Sequence, residues 1–306
     1  MVHADLEEFE LSTRIAGLRE AASVRSELFL VSLEVVRPFV DESAFMGEEQ
    51  RTDLAHRGIT YVRELIPRER AAAIEDRIWA FLGKRGIHRT DRATWPPGGL
   101  MSGVQGLRQA EVFAPFTNEH LIDVANELLG AGAWTKFRHD AQALLSFPES
   151  GPWQIPHKLW HFDMPARGPT DRFDAVRVLG FVSRVAPQGG GTLLVEGSHE
   201  LTRRMVERAP GGNAGQSADV RRRLAGRSPW FKALQTEGAD RIARFMVDGD
   251  EIDGVSVRVV EATGDGGDVC IMHPWTLHTT AMNCADRPRM MLSQTFLRDD
   301  NVYYAR

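Results

Sequence analysis

The feature that most limits how this chain can fold is a change of texture near residue 140. Beyond it, short β-branched and apolar runs alternate with glycine and proline: 141–147, 159–163, 176–185, 192–195, 255–262, 268–272 and 290–297. Short strands separated by turn signals predict a sandwich or barrel. Residues 200–254 interrupt the series with arginine-rich sequence of helical character. Upstream, residues 11–39 carry apolar positions at helical spacing, closed by Pro38. Residues 58–66 read as a short strand, and Pro67 opens a helix whose stripe is Ala71, Ile74, Ile78 and Phe81. Residues 86–106 read as a loop, and Asn118 is placed to cap a helix ending before Gly130. The expected organisation is one domain over 1–306, mainly β with flanking helices. It has a helical extension (1–57), supporting helices and a loop (58–139), and a β core (140–300) carrying the 200–254 insert.

Composition removes several classes of function. The chain has 306 residues, 42% hydrophobic and 26% charged, with a net charge of −5, so no basic footprint for nucleic acid is present. Cys270 and Cys284 cannot make a disulfide framework or a four-cysteine zinc site. The acidic first ten residues lack the build of a signal peptide, and the apolar run 28–33 is far shorter than a membrane span. These readings point to the cytoplasm, with no membrane role.

The chemistry gathers around Trp160-His161-Phe162-Asp163. In a strand, side chains two apart share a face, so His161 and Asp163 point together. An imidazole and a carboxylate so placed are two ligands of a facial triad, and His278 in Trp275-Thr276-Leu277-His278 is the candidate third. Three protein ligands leave positions open for a bidentate oxoacid and O2. Arg289, eleven residues after His278, returns on the next strand with a guanidinium suited to the distal carboxylate of 2-oxoglutarate. Rival histidines fit less well. His157 and His161 would share a face only on a helix, and no glutamate follows His157. His273 lies at an odd offset from His278 on a strand. His199 and His139 read as structural or surface groups.

The sequence resembles the phytanoyl-CoA dioxygenase family of 2-oxoglutarate oxygenases. Residues 160–163, the Gly-rich block 188–199 and the block 267–278, followed by Asn283 and Arg287-Pro288-Arg289, carry the likeness across roughly 58–300. The resemblance implies a double-stranded β-helix, a jelly roll of the cupin kind. It implies Fe(II) held by His161, Asp163 and His278, with Arg289 on 2-oxoglutarate. Thr280, Gln142 and Thr192 are its weaker parallels for cosubstrate contact. It also implies O2 as co-reactant, with release of succinate and CO2. The family's acyl-CoA substrate does not carry over, because sites rather than folds decide substrates. Because Asp163 is a carboxylate, hydroxylation or a related oxidation is expected rather than halogenation.

Trp153, Gln154, His157, Trp160, Met164 and Arg167 flank the metal tripeptide and are the candidate contacts for a small-molecule substrate. Residues 95–99 and 103–107 are candidate lid segments. Arg203-Arg204 and Arg221-Arg222-Arg223 are either an anion lure or a solvated helix face. Two alternatives share the same triad: a metal-dependent cupin-type hydrolase or isomerase, and a non-enzymatic jelly-roll binding protein. Dependence on 2-oxoglutarate separates the oxygenase from both. Oligomeric state is left open by the sequence.

Overall fold

The structure is a computed structural model and describes residues 46–104, 106–109, 111–136 and 141–303. The helical reading of 11–39 and the reading of His139 lie outside the described residues. In chain order the strands are β1 (Ile59–Val62), β2 (Gly99–Leu100), β3 (Trp134–Lys136), β4 (Gln142–Phe147), β5 (Ala166–Arg167), β6 (Ala175–Phe181) and β7 (Thr192–Glu196). They continue with β8 (Asn213–Gly215), β9 (Asp250–Ile252), β10 (Val255–Glu261), β11 (Val269–Met272), β12 (His278–Thr280) and β13 (Arg289–Arg298).

Among the described residues these strands make a major sheet ordered β1-β11-β6-β13-β4-β2, with β3 added to β13. A minor sheet runs β12-β7-β10-β9, and β5 pairs with β8. The pairings within these sheets are antiparallel. Alternation along the strands explains the layering, since successive side chains face opposite sides. Leu144, Leu179, Phe181, Cys270, Met272 and Met291 of the major sheet pack with Leu194 of the minor sheet, filling the space between the two. The intervening residues Leu145, Val178, Ile271 and Leu292 face outward and are covered by helices α1 (Glu48–Arg57), α2 (Arg68–Gly83) and α3 (Glu119–Leu129). Two facing antiparallel sheets around one filled interior form the expected jelly roll.

Residues within 200–254 supply helices to the outer face of the minor sheet. Helices α4 (Ser198–Arg208), α5 (Ser217–Arg227) and α6 (Pro229–Leu234) bury Leu201, Val220, Leu224 and Phe231 against Val255, Val257 and Val259 of β10. A π-helical turn, Ala243–Asp248, follows. The Asn118 cap forms as read, its side chain accepting from the N–H of Leu121 at 2.8 Å.

Several expectations need correction. Residues 159–163 are not a strand. His161 alone makes an isolated antiparallel bridge, to His278. Leu159 adopts a left-handed φ of 64°, which cannot continue a ladder. The run from 176 stops being a strand at Phe181, with Val185 left in a bridge to Gly264. The 86–106 loop contributes β2, an edge strand on β4. Trp95, placed in a candidate lid, instead packs with Trp79 and Phe147 on the outer face of the major sheet. Among the described residues, no helix is long and apolar enough to cross a membrane.

Candidate metal centre

The centre forms where an irregular segment meets the edge of the minor sheet. His161 and His278 exchange both backbone hydrogen bonds, at 2.9 and 3.0 Å. This pairing sets their rings 4.2 Å apart, centroid to centroid. His278 begins β12, where it pairs with Leu194 of β7. Asp163 follows two residues after His161, so the expectation that the pair would point together holds without a continuous strand. Its Oδ1 lies 3.8 Å from His161 Nε2 and its Oδ2 lies 3.4 Å from His278 Nε2. One ligand atom from each of the three residues falls within 4.8 Å of the others.

Local hydrogen bonds choose which nitrogen each ring presents. His161 Nδ1 lies 2.9 Å from the carbonyl of Leu159, and His278 Nδ1 lies 2.9 Å from that of Thr276. A carbonyl can only accept, so in a neutral ring each Nδ1 carries the proton and each Nε2 is left as a lone-pair donor. Burial pushes the His278 imidazole down to about 4 despite the upward pull of Asp163, so it is uncharged at neutral pH. Burial works to raise the Asp163 carboxyl, yet His278, Arg177 and His161 together hold it below its ordinary value. With His278 neutral, the constant cation beside it is Arg177, whose Nε lies 2.9 Å from Oδ2. Two imidazoles, each presenting Nε2, and one carboxylate are a donor set for a divalent first-row metal.

The irregular segment is pinned from several directions. The Thr279 hydroxyl reaches the Lys158 carbonyl at 3.4 Å, and the Trp275 indole N–H reaches that of Pro165 at 3.0 Å. From the insert, Ser217 Oγ accepts from the N–H of Phe162 at 3.0 Å. Arg241, 8% exposed, gives its guanidinium to five backbone carbonyls, of Ile155, Pro156, Ala233, Leu234 and Thr236. Arg177, Ser217 and Arg241 were not found by sequence reasoning. Arg177 left a trace, a charge at an inward position of the otherwise apolar β6; Arg241 left none.

Arg289 stands on the inward face of β13, 1% exposed, opposite Ser146 of β4. Its Nη1 donates to the Gly190 carbonyl at 2.5 Å, and its Nε has no hydrogen-bond partner among the described residues. Burial brings this guanidinium down to about 10, against the opposing pull of Glu261. The Glu261 carboxylate accepts the N–H groups of Gln188 and Gly191 and so holds the Gly-rich turn against Arg289. That turn needs its glycines, because a Cβ on Gly191 would sit 2.1 Å from the Ala262 carbonyl oxygen. A buried guanidinium with an idle N–H suits a carboxylate that arrives with a ligand.

Thr192 and Thr280 face each other in register, one inward step from the Leu194–His278 pair toward the Arg289 end. Gln142 pairs with Ser293, four residues along β13 from Arg289, roughly 13 Å away at strand spacing. It is exposed at the start of β4 and so does not share the buried interior with Arg289. Trp153, Trp160 and Met164 are 7%, 1% and 2% exposed and lie in the core beneath the minor sheet. All three turn inward, away from the exposed His161, so adjacency to it in sequence does not bring them to its exposed face. Arg167 is occupied with the Tyr303 carbonyl. His157 is half-buried, and exposed Gln154 lines a groove of about 570 Å³ with Arg241, Ile242 and Val247. Arg203 and Arg204 both pair with Glu200, and Arg222 pairs with Asp219, the pattern of a solvated helix face.

The family model described as phytanoyl-CoA dioxygenase (PhyH) matches residues 55–291. The chain belongs to this family. Membership makes it a non-haem iron oxygenase that works with 2-oxoglutarate. AviO1 from Streptomyces viridochromogenes Tue57 shares the fold at a TM-score of 0.51 and 15% identity, covering 84% of this chain and 97% of that one. SnoK, a non-heme alpha ketoglutarate dependent carbocyclase from nogalamycin biosynthesis, does so at 0.50 and 16% identity, over 86% and 87%. No curated protein matches the chain in sequence.

Proposed function

We propose that His161, Asp163 and His278 hold Fe(II), that Arg289 binds the distal carboxylate of 2-oxoglutarate, and that the enzyme oxidises a C–H bond of a small organic molecule. The observation that carries this reading is the pair of Nε2 lone pairs meeting one carboxylate, with a buried guanidinium on the next strand whose Nε has no hydrogen-bond partner among the described residues. With 2-oxoglutarate and O2, bound iron supplies the oxidising power, and the cosubstrate leaves as succinate and CO2. The chain's own residues do the rest. The Nδ1–carbonyl bonds keep both rings in the ligating tautomer. Arg289 orients the cosubstrate from its far end, with Thr192 and Thr280 lining the way between. Ser146 and Ser293 offer further buried hydroxyls without hydrogen-bond partners among the described residues.

The substrate approaches from the side on which His161 is open. The His161 side chain is 49% exposed, against 15% for Asp163 and 6% for His278. Leu159, 77% exposed, and Gln154 are the contacts we assign to that side. The catalytic unit is a single domain working in the cytoplasm without nucleic acid or membrane.

The test is stoichiometric. Iron-loaded protein should convert 2-oxoglutarate to succinate in the presence of O2, slowly without substrate and faster with it. Folded, iron-loaded protein that never releases succinate across a broad substrate panel would contradict the reading.

A further inference from the structure

Asp163 is the one ligand whose side chain no ladder or local hydrogen bond holds. Both imidazoles are fixed through Nδ1, and His278 is also part of a strand. Asp163 lies in the irregular stretch after His161, and its Oδ2 is buried without a hydrogen-bond partner among the described residues. A carboxylate on such a segment can turn about its own bonds, offering one oxygen, the other or both to a metal. Something else must select among these.

Arg177 is built to do so. It sits inward on β6, in the middle of the major sheet, in register with Met272 of β11 and Thr295 of β13. Its Nη1 donates to Thr295 Oγ1 at 3.2 Å, which anchors the far end of the fork to the neighbouring strand. Its Nε then lies 2.9 Å from Asp163 Oδ2. The Nε N–H is close without being aligned, so neither atom counts as hydrogen-bonded, and a small turn of the carboxylate completes the bond.

We propose that Arg177 is a positioning residue for Asp163, holding Oδ2 from the rigid sheet so that the other oxygen alone is offered to the metal. This rests on the metal reading above. A guanidinium near a dication also repels it, so Arg177 opposes metal binding through its charge and favours it through orientation. Side chains that orient a ligand are typically worth tenfold to a hundredfold in metal affinity, and Arg177 is partly exposed, which screens its repulsion. Orientation wins. Lysine keeps the charge but cannot bridge Thr295 and Asp163 with a planar fork, so it should fail as glutamine does.

The test uses the full chain, loaded anaerobically with Mn(II) for affinity and with Fe(II) and 2-oxoglutarate for the visible charge-transfer band. Wild-type protein comes first. No metal binding there would overturn the functional reading and this proposal together. Given a wild-type band, Arg177→Gln and Arg177→Lys should each bind Mn(II) about tenfold more weakly or worse and shift the band. Thr295→Val should move both in the same direction by less. Wild-type affinity and band in both arginine variants, or tighter binding, would overturn the proposal. Recovery by lysine alone would also overturn it, because charge rather than orientation would then be the role. If the arginine variants do not fold, Thr295→Val decides, and an unchanged affinity and band in it count against the proposal.

Discussion

The two histidines of the centre come from regions built on opposite principles. His278 starts a strand, is 6% exposed, and follows a loop tied to neighbouring segments. Thr276 Oγ1 and the His273 N–H both reach the Gly58 carbonyl, and the Leu277 N–H reaches Ser198 Oγ. His161 is 49% exposed and follows a residue pair that includes the left-handed Leu159. Its segment is held by side chains arriving from elsewhere, Arg241, Ser217 and Trp275 among them. One half of the site is thus set by the sheet. The other is hung from it, on the side proposed above for substrate entry. A site of this kind keeps one ligand on a rigid strand while its outer wall can vary with the insert.

Substitution of the two histidines breaks the comparison most severely. His161→Ala and His278→Ala should both reduce succinate formation to background. Their effects on stability should differ: His161→Ala stays within about 0.5 kcal/mol of wild type, whereas His278→Ala loses about 1–2 kcal/mol through its buried cavity and orphaned carbonyl. Thermal melts of the metal-free proteins measure this, and equal melting temperatures would erase the distinction. On the rigid side, Arg289→Ala should raise the 2-oxoglutarate requirement about 30-fold or more, as loss of a buried charge partner does. Metal affinity should survive. On the hung side, Arg241→Met strips donors from five carbonyls and should cost about 3 kcal/mol, read by denaturant melts.

These same contrasts explain what could be read from the chain alone. The gathering of His161, Asp163 and His278 was legible because each is a polar group in an apolar run, at spacings that a jelly roll brings together. The assignment of 159–163 to a strand failed because nothing in its composition marks Leu159 as left-handed. Trp160 and Met164 were offered as substrate contacts on sequence adjacency, yet the fold turns them into the core. The tether from Arg241 was invisible because it joins segments 85 and 86 residues apart. Arg177 needed the register of β6 against β11 and β13 before its face was known.

The smallest expected effect concerns acidity behind the rigid half. His199 and His273 lie with ring centroids 5.3 Å apart, and Gly58 approaches so closely that a Cβ there would meet His199 Nδ1 at 2.3 Å. Burial holds both imidazoles below their ordinary 6.5 in the folded chain. The unfolded chain therefore takes up protons first as pH falls. The stability is fully present above about 6.5 and declines on acidification below it, by up to about 1.4 kcal/mol per pH unit for each histidine. His273→Gln should flatten the dependence of melting temperature on pH. A profile as steep as wild type would remove His273 from that role.

The most direct test of the centre itself needs no substrate. Anaerobic titration of the purified protein with Fe(II) and 2-oxoglutarate should produce the weak visible charge-transfer band of an iron-bound oxoacid. That band should be absent from His278→Ala. A folded, iron-loaded wild-type protein that binds 2-oxoglutarate and shows no band, or a His278→Ala variant that keeps it, would contradict the assignment of His161, Asp163 and His278 as the metal ligands.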